Sequence, residues 1–166
     1  MVTTPARFLS GLELQGTVGQ DADFDNARPG WGANVNLSFS LRPTNHLELR
    51  ALGARRWLNV DTGSGSRMRL FTATVERIRA TYTVSSRLFL RAIAQYEQTT
   101  RDPSLYVAEV ARKEGSFDGS LLFAYKLNWE TVLFLGWGDT REIDDNLTLQ
   151  KKERQVFLKL SYAFQW

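Results

Sequence analysis

The sequence predicts an all-β fold, an eight-stranded antiparallel up-and-down transmembrane β-barrel of the outer-membrane type. Three observations lead to this prediction. Apolar and polar residues alternate along eight segments, short connections alternate with longer polar ones, and all five tryptophans fall at predicted strand ends. Such alternation gives a strand one apolar face, and outer-membrane barrels combine such strands with short turns, longer loops and aromatic girdles. We expect residues 1–166 to form this single domain.

Composition allows this fold and excludes helical membrane spans. Hydrophobic residues make up 43% of the chain, but no apolar run approaches the roughly 18 residues that a membrane helix needs. The chain has no cysteine, so it has no disulfide or thiol chemistry, and its net charge of +3 gives no reason to expect a nucleic-acid partner. The first five residues lack the basic and apolar segments of a signal peptide, so an exported chain would be a mature form.

The first four predicted strands have apolar rows with a period of two. These rows are Phe8, Leu12, Leu14 and Val18; Trp31, Ala33, Val35, Leu37, Phe39 and Leu41; Leu47, Leu49, Ala51 and Gly53; and Ile78, Ala80, Tyr82 and Val84. In the second strand the alternate residues include Asn34, Asn36 and Ser38, which would make a poor apolar core but suit a polar barrel interior. The alternation is blurred in the first half of strand four, which a bulge or emergence from the membrane would explain.

The last four strands continue the pattern. Their apolar rows are Leu88, Leu90, Ala92, Ala94 and Tyr96; Phe117, Leu121, Phe123, Tyr125 and Leu127; Leu133, Leu135 and Trp137; and Val156, Leu158, Leu160, Tyr162, Phe164 and Trp166. Between strands five and six, Leu105–Val110 could form a short helix or continue the strands.

The connections are predicted to alternate strictly between two kinds. Short turns lie near Pro43, Ser85 and Trp129, and longer polar loops are Gln20–Pro29, Asp61–Ser66, Thr99–Ser116 and Asp139–Lys152. Trp129 and Trp166 then lie at the short-turn end, and Trp31, Trp57 and Trp137 at the loop end. These are the membrane-interface aromatics that two girdles require.

Charged residues sort by face. A Lys or Arg on the lipid face costs about 2–4 kcal/mol at mid-bilayer, and the predicted phase places only Glu76 and Arg55 outward, near the outer rim. The inward charges form an expected lumen network of Glu13, Glu48, Arg50, Arg77, Arg79, Arg91, Glu97, Lys126 and Lys159. An eight-stranded interior is just wide enough for side chains, so these charges are expected to pair in a plug-like core, and an anion-favouring aqueous lumen is the alternative.

Three segments carry a family resemblance: Ser86–Tyr96, Ser120–Asp139 and Phe157–Trp166. They resemble the C-terminal end of a family of large, uncharacterised bacterial outer-membrane proteins whose N-terminal domain resembles family-nine carbohydrate-binding modules. That domain is absent here, so the resemblance implies no sugar binding, and the chain is either a small relative or a C-terminal piece of a larger barrel. The final strand resembles the signal that the outer-membrane assembly machinery reads, with signal residues Leu158, Leu160, Tyr162, Phe164 and Trp166.

We expect no catalytic residue, cofactor or metal. The single histidine, His46, has no evident nucleophile and acid beside it. The acidic groups Asp139, Glu142, Asp144 and Asp145, and Asp21, Asp23 and Asp25, fit no known calcium loop and are interpreted as solvated loops.

The expected function is therefore non-enzymatic, as a structural or anchoring barrel in the outer membrane of a Gram-negative bacterium. Its partners are the lipid bilayer and the assembly machinery, and a monomer is expected, with an oligomer as the alternative. The alternative functions are a porin-like transport pore, either with an open lumen or assembled from several copies, a barrel enzyme acting on lipid, and a soluble eight-stranded carrier.

Overall fold

The computed structural model describes residues 9–63, 65–143 and 148–164. They form one antiparallel sheet whose eight strands follow chain order. The strands are β1 (Leu9–Asp23), β2 (Arg28–Leu41), β3 (Leu47–Asp61), β4 (Arg67–Ser85), β5 (Leu88–Arg101), β6 (Lys113–Lys126), β7 (Thr131–Ile143) and β8 (Leu149–Tyr162).

The predicted all-β, up-and-down arrangement of eight antiparallel strands is confirmed. At the three short turns every strand end lies within one residue of its predicted position. A single 3₁₀ turn, Pro103–Leu105, occurs among the described residues and overlaps only the first residue of the segment Leu105–Val110 where a short helix was considered.

No helix among the described residues is long and apolar enough to cross a membrane.

The described sheet is open, whereas a closed barrel was predicted. β1 and β8 are its two edges and do not pair with each other. Neighbouring strands are held in register by the turns that join them, but no turn joins β8 to β1, so local sequence does not enforce closure. The accessible surface of the chain, 12127 Å², greatly exceeds the roughly 8,300 Å² expected of a compact protein of this mass. The sheet is thus a single layer with nothing packed across most of its faces.

The strict alternation of short and long connections is wrong. The connection between β1 and β2 is only 24–27, shorter than the turn 42–46 that follows it, and of the predicted loops 102–112 alone is long. Backbone pairing needs no apolar side chains, so strands continue past their apolar stretches and reach up to 19 residues in β4. Trp31, Trp57 and Trp137 consequently lie inside strands instead of at strand ends.

Candidate membrane surface and polar face

The strand register divides the sheet into two chemically different faces, because directly opposed residues of an antiparallel pair share a face. One face, here called the apolar face, carries rows of large hydrophobic residues. An example is the row of successively opposed residues Leu158, Leu135, Phe123, Leu90, Tyr82 and Leu47. The opposite side, here called the polar face, carries Asn34, Asn36 and Ser38 of β2 and their partners.

The apolar face is unusually accessible for a surface of this composition. Leu14 and Leu158 are each 70% exposed, and Ile78 is 60% exposed. Contiguous exposed apolar surface of more than a few hundred Å² marks a contact with membrane or protein.

The nine charges of the predicted lumen network share the polar face, and Glu76 and Arg55 lie on the apolar face, as the sequence phase predicted. In β4 the side-chain alternation runs without interruption from Phe71 to Thr83. The threonines of the blurred stretch 71–76 therefore lie on the apolar face of a regular strand. The register shift in this half of β4 lies just before that stretch, where Leu70 is the extra residue between the partners of Leu58 and Asn59, so a bulge does occur there. The inward orientation of the polar face stays a prediction.

The charges of the polar face pair only in part. Glu48 accepts hydrogen bonds from Arg42 at 2.8 Å and Arg50 at 2.5 Å. Glu13 accepts from Gln15 at 2.6 Å. A second chain of hydrogen bonds runs from Arg77 through Gln95 to Glu97.

Four cations of the polar face stand outside these pairs. Within the described part of the chain, no side-chain hydrogen bond or ion pair involves Arg79, Arg91, Lys126 or Lys159. Arg50 lies directly opposite Arg79, and Arg91 is diagonal to it. Like charges at such positions repel, so the polar face holds a cationic patch, not the fully paired network that a dry core requires.

The apolar stretches form a band that crosses the strands obliquely. On β8 the loop-side border of the band lies at Val156, and following the opposed residues from strand to strand leads from Val156 to Leu9 on β1. On β1, however, the loop-side border lies at Val18, nine positions beyond Leu9. With about 3.3 Å per residue and about 4.8 Å between strands, this offset corresponds to a strand tilt of about 40° relative to the band. Strands of outer-membrane barrels tilt by roughly 35–45°.

Aromatic residues line both borders of the band. On the loop side the apolar face carries Trp31, Trp57, Tyr96, Phe117 and Trp137, and at the short-turn end it carries Tyr82, Tyr125 and Tyr162. Trp129 lies in the β6–β7 turn and is 71% exposed. From Leu47 to Trp57 the band spans eleven residues of β3, or ten residue-to-residue rises, which at this tilt is a height of about 25 Å.

The sequence analysis missed most of this aromatic border. It assigned interface roles to tryptophans but not to Tyr82, Tyr96 or Tyr125. The alternation placed these tyrosines on the apolar face, but their alignment across strands follows from the register, which a single sequence does not contain.

The predicted signal strand is only partly within the described structure. Leu158, Leu160 and Tyr162 lie on the apolar face of β8, while Phe164 follows the strand end. The ring of Phe164 packs edge-on against Tyr162 with centroids 4.8 Å apart. Phe8, Asp144, Asp145 and Trp166 lie outside the described residues.

The β5–β6 connection, 102–112, folds over the polar face at its loop-side end. Leu105 and Tyr106 pack against the buried cluster of Leu58, Val60 and Leu70. Leu58 and Val60 belong to the polar face, since they oppose Gly32 and Gly30 of β2. Asp102 caps the 3₁₀ turn by accepting a hydrogen bond from the backbone N–H of Ser104 at 3.1 Å.

The same connection is tied to the distant β1–β2 hairpin. The backbone N–H of Val107 donates to Asn26 Oδ1 at 2.9 Å, and Arg28 donates to the carbonyl of Leu105. Asp23, 3% exposed, accepts from Arg28 at 2.8 Å and from Asn26 at 2.7 Å. Burial acts to raise the pKa of Asp23, but these hydrogen bonds outweigh it and hold the pKa below the ordinary 3.8. These bonds join the β5–β6 connection to the β1–β2 hairpin across the loop-side end of the polar face.

His46 and Asp139, two of the residues considered for chemistry in the sequence, are each held by neighbouring groups. His46 Nδ1–H donates a hydrogen bond to the carbonyl oxygen of Thr83 at 2.7 Å. Among the described residues, no three His, Cys, Asp or Glu side chains are grouped so as to hold a metal ion. Asp139 is instead bound by Arg141 and Arg154, each at 2.9 Å, which lower its pKa.

No protein-family model, curated protein or solved structure that was compared with the chain matches it. The resemblance to the C-terminal end of an outer-membrane protein family therefore stays a prediction.

Proposed function

We propose that this chain forms part of the wall of a bacterial outer-membrane β-barrel, with the apolar face against lipid and the polar face toward an aqueous lumen. The observation that carries this proposal is the sorting of side chains between the two faces, with an oblique apolar band about 25 Å high between aromatic borders. In this setting the last strand would serve the assembly machinery and the bilayer would cover the exposed leucines.

The proposed activity is that of a non-enzymatic, porin-like transport pore that favours anions. An open edge cannot persist in lipid because its backbone groups would be unsatisfied. Since β1 and β8 do not pair, strands from outside this sheet would complete the barrel, as in the assembly of several copies. A wider barrel also suits the cations of the polar face that lack partners, because rings of arginine and lysine select for anions in pores.

A closed structural barrel is the second candidate, and one observation favours it. Part of the polar face is apolar and packed: Ala124 is buried, and the ring of Phe157 covers Gly136. If β8 paired with β1, these side chains and their neighbours Leu122 and Phe134 would begin a closed core. Such a barrel would anchor or organise the membrane without conducting.

Conductance of the purified protein in planar bilayers tests the proposal. We expect steady channels with a reversal potential that favours anions. The double substitution Arg79→Gln with Arg91→Gln should weaken this selectivity, while Arg87→Gln, in the β4–β5 turn, should not. Folded protein that inserts but never conducts would reject the pore and favour the closed barrel.

Membrane insertion itself is tested separately. A folded membrane barrel migrates differently in a detergent gel before and after boiling. Spin labels at Leu37, Phe123 and Leu160 should meet lipid-soluble quenchers, while labels at Asn36 and Lys159 should not. The reverse labelling pattern, or a chain that stays folded and monodisperse in plain buffer, would overturn the membrane assignment.

A further inference from the structure

Five arginines lie on the apolar face at or beyond its loop-side border. The register places them there, since Arg69 opposes Asn59 and Arg154 opposes Asp139, both neighbours of the aromatic row. This set, here called the arginine belt, consists of Arg55, Arg67, Arg69, Arg141 and Arg154.

Three members of the belt stack on the three tryptophans of that border. The guanidinium carbons lie 5.5 Å from the Trp31 ring centre for Arg67, 5.6 Å from Trp57 for Arg69 and 5.8 Å from Trp137 for Arg154. Each pair thus combines a ring that prefers the membrane–water boundary with a cation whose stem covers apolar surface while its charge stays outside. Such pairs occur on β2–β4 and again on β7–β8, and all three lie along the loop-side border of the apolar band.

The belt carries more positive charge than its surroundings neutralise. Arg141 and Arg154 share the single carboxylate of Asp139. Arg69 is held by the neutral Asn59 at 2.7 Å and Thr72 at 3.2 Å.

The remaining carboxylates of this face do not compensate the belt. Asp61, opposite Arg67, accepts from the backbone of Gly63 at 2.8 Å. In the described part of the chain, neither Arg55, Arg67 nor Glu76 enters an ion pair.

The short-turn border of the same face is different. Its described strand positions carry Leu47, Tyr82, Leu88, Tyr125 and Tyr162 but no cation. At their described strand positions the two borders of this face therefore differ in charge.

We propose that the arginine belt binds the phosphate groups of anionic lipids in the leaflet on the loop side. This inference rests on the proposed membrane location of the apolar face. Guanidinium groups bind phosphate through two parallel hydrogen bonds, and the belt lies where headgroups would meet the border of the apolar band. The tryptophan rings fix the depth, and the unneutralised arginines supply the charge.

Quenching of tryptophan fluorescence by brominated lipids tests this binding. The full chain is folded in detergent and reconstituted into phosphatidylcholine vesicles that contain either brominated phosphatidylglycerol or brominated phosphatidylcholine. We expect the wild type to favour phosphatidylglycerol. Arg67→Gln with Arg69→Gln should lower that preference by up to about thirtyfold, about fivefold for each charge removed, and the charge-preserving Arg67→Lys with Arg69→Lys should lower it much less.

Two controls separate this inference from the proposed function. Arg112→Gln removes one charge on the loop side but off the apolar face, and it should leave the lipid preference unchanged. Heat-modifiable mobility of each sample reports whether the barrel has formed. Inserted protein that is quenched equally by both lipids would overturn the belt and leave the membrane location standing, whereas protein that never inserts would overturn the proposed function.

Discussion

The carboxylate of Asp23 is buried at the loop-side end of β1 and holds Asn26 and Arg28 in place. Asp23→Asn removes the charge that both donors bind, so we expect the β1–β2 hairpin to lose about 1–3 kcal/mol of local stability. The backbone N–H of Val107, which bonds to Asn26, should then exchange faster with solvent. Hydrogen exchange measured on protein in detergent checks this, and unchanged exchange at Val107 would contradict it.

The same group predicts a pH dependence. The pKa of Asp23 is lower in the folded chain than the ordinary 3.8, so its contribution to stability is complete above that value. The contribution is lost as pH falls through the folded-state pKa. The tie between the hairpin and the β5–β6 connection should therefore hold at neutral pH and weaken only in strong acid, and Asp23→Asn should remove that acid step.

Gly115 and Gly119 are two glycines of β6 with different surroundings. A Cβ at position 115 would lie 2.5 Å from the carbonyl oxygen of Glu97 and 2.8 Å from Ile143 Cδ1, whereas a Cβ at position 119 would approach nothing closer than 3.5 Å. Because backbone cannot move aside cheaply, Gly115→Ala should lower the free energy of unfolding by about 1–3 kcal/mol. Gly119→Ala is the control and should change it little. Urea unfolding of the detergent-folded protein measures both, and equal effects would contradict the expectation.

For single residues, the sequence predicted the face of the sheet on which a side chain lies better than it predicted the side chain's contacts. Alternation alone placed Glu13, Arg91 and Lys159 on one side of the sheet, because a period of two leaves only two choices. It did not predict that Asp23 is buried or that arginines stack on Trp31 and Trp137, since those contacts join residues brought together only by strand register.

The β5–β6 connection leaves the plane of the sheet and folds over the polar face. Leu105 anchors it on Leu58, Val60 and Leu70, while Val107 is 92% exposed. Leu105→Ser should release the connection, at a local cost of about 1–2 kcal/mol, because this side chain is only partly buried. It should speed hydrogen exchange across 102–112 and raise the conductance of the proposed pore.

Val107→Ser is the matched control in the same connection. It removes a similar apolar group from a position that buries nothing, so exchange and conductance should stay at the wild-type level. If both substitutions had the same effect, the packing of Leu105 would not be what holds the connection over the polar face.

The strand ends at the short turns were predicted more accurately than those at the opposite end of the sheet. At the short turns, residues such as Pro43 and Asn45 interrupt the alternation and stop the strands where expected. At the opposite end, polar residues such as Gln20 and Asp21 continue to pair through their backbones. Composition cannot distinguish a polar strand from a polar loop, so the sequence underestimated the length of β1 at that end.

For the molecule as a whole, the unpaired edges decide between the two barrels. The apolar stretches Leu12–Val18 of β1 and Val156–Tyr162 of β8 are antiparallel and equally long, so self-closure would place Leu14 opposite Leu160. The chain has no native cysteine, which makes Leu14→Cys with Leu160→Cys a clean probe. We expect oxidation to give linked copies or no link at all, with each single cysteine variant as the control. A disulfide within one chain would show closure of the eight strands and support the structural barrel.

The number, direction and order of the strands followed from the sequence, because polar or turn-forming residues separate each apolar alternating stretch from the next. Closure did not follow, since it depends on a contact between the two ends of the sheet that no local signal specifies. The oblique course of the apolar band could not be predicted either, because the tilt follows from the register between neighbouring strands.

The height of the apolar band also determines which bilayer thickness matches the protein. A band of about 25 Å is shorter than the hydrocarbon core of an average bilayer, which is about 30 Å thick, and a bilayer must thin around it at a cost that grows with the mismatch. Vesicles of lipids with ten- or twelve-carbon acyl chains should therefore accept the chain faster and more completely than those with eighteen-carbon chains. The distance between the two aromatic rows thus determines the bilayer thickness into which the chain inserts best.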